Sequence, residues 1–146
     1  PLDLCARLKI HLWRANKAME RVEIQSLKTR GLQLTDFGIL EALLHKGPLP
    51  INILGQKVLL TSGSITTAVH RLQDRGLLER YRDGADGRVT LVRLTPHGEA
   101  LIRTEYTAHL ECLAKLGGAL SEAEILQLLP LLKKLGKHAE ALQTEA

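Results

Sequence analysis

The stretch from Thr61 to Gly76 constrains the chain more than any other. Its apolar residues Ile65, Ala68, Val69 and Leu72 recur at i, i+3, i+4 and i+7, the spacing of one buried stripe on an amphipathic helix. Thr61 or Ser62 supplies an N-cap, and Gly76 stands where a left-handed residue ends a helix. The opposite face carries Ser64, Thr66, Thr67, His70 and Arg71, with hydroxyls first and a basic group later. Small residues let a helix N-terminus approach a phosphate or base edge, and its backbone N–H groups favour anions. Such a helix is either an ordinary solvated surface helix or a recognition helix for duplex DNA. Its neighbours favour the second.

Downstream, residues 77–82 and 89–94 read as two strands around Asp83-Gly84-Ala85-Asp86-Gly87-Arg88, whose glycines allow a sharp reversal. A hairpin directly after such a helix is a wing, which reaches the minor groove or backbone beside the major groove that the helix enters. Upstream, a helix opens at Leu34-Thr35-Asp36 with Thr35 as N-cap, buries Phe37, Leu40 and Leu44, and ends at Gly47-Pro48. Pro50 serves as N1 of a short helix through Val58. Two short helices and a tight turn, the second polar outside, make a helix-turn-helix.

The ends of the chain are helical. Residues 2–28 carry the stripe Leu4, Leu8, Leu12, Ala15, Met19 and Val22. Thr95-Pro96 caps a helix to about Leu116, with Ala100, Leu101, Tyr106, Leu110 and Leu113 as its apolar side. Ser121-Glu122-Ala123-Glu124 is a capping box for a last helix, which Pro130 is expected to kink rather than break. The terminal stripes exceed what one small domain uses, and reading a two-fold symmetric duplex calls for a dimer. The expected fold is mainly α with a small β-hairpin wing, in one domain spanning 1–146. Residues 34–94 form the winged helix-turn-helix DNA-binding lobe, and 1–30 and 96–146 are dimerisation helices.

Charge is distributed to match. Residues 57–94 hold 7 Lys/Arg against 4 Asp/Glu, while residues 95–146 hold 5 against 7, within a net charge of +4. Basicity around the central lobe suits a polyanion. No run is long enough for a membrane span and no signal-peptide pattern opens the chain, which points to the cytoplasm. The chain opens on Pro1 rather than Met, so its native N-terminus reads as trimmed. Cys5 and Cys112 are far apart, have no metal-ligand spacing and read as free thiols.

Beside these readings, the sequence resembles the MarR family of transcriptional regulators. The strongest match is Asp86-Gly87-Arg88 followed by Leu94-Thr95-Pro96-His97-Gly98, against the family's Asp-x-Arg, five residues, then Leu-Thr-x-x-Gly. Arg71-Leu72-Gln73-Asp74-Arg75-Gly76-Leu77-Leu78-Glu79-Arg80 is similar to the family's exit from the recognition helix, and Leu34 to Leu40 to the opening of its second helix. The resemblance implies a homodimer on a pseudo-palindromic operator, usually a repressor released by a signal. By position it implies that Ser62, Ser64, Thr66, Thr67, His70 and Arg71 face DNA. It implies that Arg88 enters the minor groove and that Asp86 holds Arg88 or a neighbouring Arg in place. Gly87 and Pro130 depart from the family's usual residues.

Arg71 is the favoured bidentate guanine reader, with phosphate clamping the other option. Arg75, Arg80 and Arg82 are phosphate contacts or solvated charges. For the signal, His11, Trp13, Arg14 and Phe37 either line a crevice for a phenolic or aromatic carboxylate ligand, or Trp13 and Phe37 are core residues. Cys5, near the start of the first helix beside Arg7 and Lys9, is either a thiol or quinone sensor or a small packed residue. Cys112 is expected to be buried and inert. No cofactor or metal site is expected, because the six histidines are scattered and no phosphate loop, HExxH, CxxC or nucleophile elbow occurs. The competing readings are a winged helix used for protein docking and, more remotely, a small enzyme.

Overall fold

A computed structural model describes residues 1–58, 60, 62–84 and 87–144. In chain order the elements are α1 (Leu2–Lys28), α2 (Leu34–Lys46), β1 (Leu49–Pro50), α3 (Ile51–Lys57), α4 (Ser62–Asp74), β2 (Leu78–Arg82), β3 (Thr90–Leu94), α5 (Pro96–Gly117) and α6 (Glu122–Thr144). The chain divides into two compact units, Pro1–Cys112 and Leu113–Ala146.

The first unit holds the core. Phe37, Ile39, Leu40 and Leu43 of α2 pack with Leu54 of α3, Ile65, Ala68, Val69 and Leu72 of α4, Leu77, Leu78, Val92 and Ile102. The predicted stripe of α4 is thus its buried face. Thr61 and Asp86 lie outside the described residues. The N-cap of α2 is Gln33, not Thr35, and its side chain makes no capping bond. The helix starts at Leu34, with no side chain deciding its first turn.

The sheet has three antiparallel strands in the order β1-β3-β2. β1 is a correction to the sequence reading, which gave Pro50 to the first turn of α3. Leu49 and Pro50 instead pair with Val92 and Leu91, and Pro50 is the N-cap of α3. An edge strand tolerates proline because the missing N–H is not needed by an inner ladder. The wing pairs Leu78 with Leu94 through Arg82 with Thr90. Arg93 lies opposite Glu79, bonds it at 2.6 Å and stacks 4.1 Å over the Tyr81 ring. The hydrogen bond to Glu79 raises the Arg93 pKa above the ordinary guanidinium value.

At the joint between α4, the wing and α5, Gly76 takes φ +71 and donates to the Gln73 carbonyl, while Leu77 N–H donates to Leu72. Thr95 Oγ1 donates to the Gly76 carbonyl at 2.6 Å and accepts the Gly98 N–H at 3.0 Å. The expected apolar side of α5 is met in part: Leu101 and Tyr106 pack partly buried against the core. Its buried residues are Gly98, Ile102, Glu105 and His109, one helical stripe that includes two polar groups, whereas Leu110 is 47% exposed. Glu105 is paired with Arg30, which brings the α1–α2 turn onto α5.

In the second unit the capping box forms as predicted. Ser121 N–H donates to Glu124 at 2.7 Å, and Glu124 N–H donates to Ser121 Oγ at 3.2 Å. α6 runs through Pro130 without a break, and none of its residues is buried.

The glycines make a testable contrast. A Cβ on Gly98 would lie 1.7 Å from the Leu77 carbonyl oxygen, whereas one on Gly38 would meet only Val58 Cγ1 at 3.9 Å. We expect Gly98→Ala to lose about 3 kcal/mol, because the obstructing atom is backbone. Gly38→Ala should gain about 0.5–1 kcal/mol from helix propensity. Urea unfolding of both variants checks the opposite signs.

Candidate nucleic-acid interface

α4 presents its polar side outward because its other side is the core. Opposite Ile65, Ala68, Val69 and Leu72, the helical period places Gly63, Thr67, His70 and Asp74, and all four are exposed. Ser62, Ser64 and Thr66 are exposed as well. Thr66 Oγ1 donates to the Ser62 carbonyl at 2.8 Å, and Thr67 Oγ1 donates to Gly63 at 3.0 Å. With the hydroxyl protons used inside the helix, both threonines offer an incoming group an acceptor oxygen and a methyl.

The flanks of α4 differ from expectation. Arg71 Nε donates to Asp36 Oδ2 at 3.3 Å, and its Nη2 makes a short contact with Oδ1, so both prongs of the guanidinium rest on one carboxylate. The sequence reading aimed that fork at guanine or phosphate; in this structure it rests on Asp36. Asp36 is 1% exposed, and a carboxylate buried so completely needs a cation. The hydrogen bond to Asp36 raises the Arg71 pKa above the ordinary guanidinium value. On the other flank, Arg80 of β2 donates from Nε to Gln73 Oε1 at 3.0 Å, and its Nη2 lies 3.2 Å from His70 Nε2. In the wing, Arg82 Nη1 donates to the Gly87 carbonyl at 2.8 Å, and Arg88 is exposed.

A cleft of about 590 Å³ opens behind this surface, between α1, α2, the end of α3 and α5. Its walls include Glu20, Glu23, Thr35, Phe37, His45, Lys57 and His109. His109 is buried, with its ring centroid 4.4 Å from that of Phe37 and its Nε2 3.6 Å from Glu23 Oε2. Of the four residues proposed to line one crevice, only Phe37 does so. His11 lies in a separate depression with Leu4, Cys5, Arg7 and Leu8; Trp13 and Arg14 are exposed. The reason is helical rise: Trp13 precedes Glu23 by ten residues, about 15 Å along α1. Cys5 is exposed, and Cys112 is intermediate rather than buried. Among the described residues no cluster of His, Cys, Asp or Glu is placed to hold a metal, and no helix is long and apolar enough to cross a membrane.

A helix with a buried stripe and a small-residue outer face, flanked by guanidinium groups and followed by a hairpin, defines a winged helix-turn-helix regulator of transcription. Residues 30–89 match the MarR family. The chain is 34% identical over 134 residues to the HTH-type transcriptional regulator MhqR of Bacillus subtilis, covering 92% of each. It is similar to the solved structure of a probable transcriptional regulator from Pseudomonas aeruginosa, with 32% identity, TM-score 0.78, and coverage of 88% of this chain and 96% of that one. It is also similar to BpsR of Bordetella bronchiseptica, solved to explain regulation of its DNA binding by 6-hydroxynicotinic acid. That match has 26% identity, TM-score 0.81, and coverage of 89% and 98%. The chain belongs to the MarR family of DNA-binding transcriptional regulators, and it is not an enzyme.

Phe37 serves the core and the cleft together, being 1% exposed. Phe37→Ala is therefore expected to cost about 3–5 kcal/mol. Urea denaturation is the measurement.

Proposed function

We propose that the protein is a homodimeric repressor acting in the cytoplasm on a pseudo-palindromic operator. It leaves that operator when a small hydroxylated aromatic acid enters the cleft at Phe37 and His109. The observation that carries the DNA part is the exposed row of Gly63, Thr67 and His70 opposite a fully buried stripe. In this reading Ser62, Ser64, Thr66 and Thr67 meet the major groove, and Arg88 meets the minor groove. Residues 34–94 form the binding lobe, with 1–30 and 96–146 joining the copies.

What supports the dimer is apolar surface without cover in one chain. Leu4, Leu8, Met19 and Val22 of α1 are 41–66% exposed, and Leu126, Leu129 and Leu131 of α6 are 56–63% exposed. Runs of this size are uncommon on monomers. What supports the ligand class is the aromatic wall, with an imidazole and lysines to meet a carboxylate and glutamates to accept from a hydroxyl. A second reading routes the signal through Cys5, favoured by the exposure of that thiol. Diamide would then release DNA from the wild type but not from Cys5→Ser.

Sedimentation equilibrium should give twice the 16.1 kDa of one chain. Anisotropy with genomically selected fragments should show log K falling with log salt by about 0.9 per phosphate contacted. Thr67→Leu should weaken binding at least about tenfold with little change in unfolding. A monomer, or a protein whose Thr67→Leu form binds as well as wild type, would refute the proposal. Addition of 6-hydroxynicotinate tests the ligand class by DNA release.

A further inference from the structure

The two guanidinium groups beside α4 are held in different ways. Arg71 rests with both prongs on Asp36, a fully buried side chain in the first turn of α2. Arg80 arrives from a different element, β2, and its partners Gln73 and His70 are exposed side chains on α4 itself, neither of them an anion. The charge of Arg71 is therefore compensated within the fold, and that of Arg80 is not compensated by these contacts. Moving Arg71 onto a base or phosphate would strand a buried carboxylate, which is a large penalty. Moving Arg80 gives up only hydrogen bonds that water replaces.

We propose that Asp36 is a positioning residue that commits Arg71 to fastening the recognition helix onto α2, and that Arg80 of the wing is the cation delivered to DNA beside α4. The proposal rests on α4 being the DNA-contacting helix. Arg71 then acts on specificity indirectly, by fixing how Thr67 and His70 are presented. Arg80 acts directly, on phosphate or a base edge at the C-terminal half of α4.

The test uses the full chain, a selected operator fragment and a random fragment of equal length, with anisotropy measured across a salt series. Arg80→Gln should flatten the log–log salt slope by about 0.9 per subunit and weaken operator binding roughly tenfold. The neutral pair Asp36→Asn with Arg71→Gln should leave that slope unchanged and stay within about threefold of wild-type affinity. Asp36→Asn alone releases a charged Arg71. It should steepen the slope by up to about 0.9 per subunit and lower the operator-to-random ratio at least about tenfold. Circular dichroism melts establish which variants fold. Should the neutral pair not fold, Arg80→Gln and Asp36→Asn decide, since Arg80 supports no buried charge.

The proposal is overturned if the neutral pair flattens the slope, if Arg80→Gln leaves it unchanged, or if a folded Asp36→Asn binds like wild type. Thr67→Leu separates this failure from failure of the underlying reading. If Thr67→Leu weakens binding while Arg80→Gln does not, the proposal fails alone. If neither variant changes binding, α4 is not the reading helix.

Discussion

The structure depends on one close approach, the first turn of α5 lying on the Leu77 carbonyl. Only a residue without a Cβ permits it, and Gly98 is that residue. Thr95 completes the joint by donating to the Gly76 carbonyl and accepting the Gly98 N–H. The end of α4, the root of the wing and the start of α5 are thereby tied together through Gly76, Leu77 and Thr95. The Leu94-Thr95-Pro96-His97-Gly98 motif thus has a mechanical meaning. The threonine is a cap that reaches across to another element, and the glycine provides the clearance for it. The wing and α4 cannot turn independently while this joint holds.

Much of this was legible in the sequence, because local signals agree with the tertiary fold wherever one element decides its own face. The α4 stripe at Ile65, Ala68, Val69 and Leu72, the left-handed Gly76 and the Ser121–Glu124 box are of this kind. What escaped depends on partners distant in the chain. β1 is two residues long and exists only because β3 offers an edge. The sequence shows only part of the buried side of α5, Leu101 and Tyr106, because Glu105 and His109 do not read as buried, yet Arg30, Glu23 and Phe37 make their burial tolerable. Asp36 looked like a helix-opening acid. Its neighbour Arg71 is 35 residues away, and no spacing rule joins them. One signal was present: Gly98, Ile102, Glu105 and His109 share a helical period with steps of 4, 3 and 4.

The cleft and α4 share a single turn of α2. Thr35 lines the cleft with Phe37 and His109, and it also lines the groove beside Gly63, Ser64, Thr67 and Arg71. Asp36, between Thr35 and Phe37, holds Arg71. Three consecutive residues therefore face a cavity wall, an ion pair with a buried carboxylate, and the core. A displacement of this turn changes all three at once, because a packed interior shifts between discrete arrangements rather than stretching.

In the proposed function, this arrangement sets what an effector in the cleft must accomplish. Coupling between two sites is bounded by the effector's preference for one placement of the shared turn over the other. A preference of about 1–3 kcal/mol changes DNA affinity by roughly 5–150-fold, and one new hydrogen bond to a charged group in the cleft is of that order. The Asp36–Arg71 pair makes the change transmissible. A surface ion pair of two long side chains would absorb the motion in its own rotamers, whereas a 1% exposed carboxylate keeps its guanidinium as the turn moves. Arg71 cannot stay behind without stranding that charge, so α4 follows α2. In the proposed function, α4 is thus moved through a residue that sits beside the cleft.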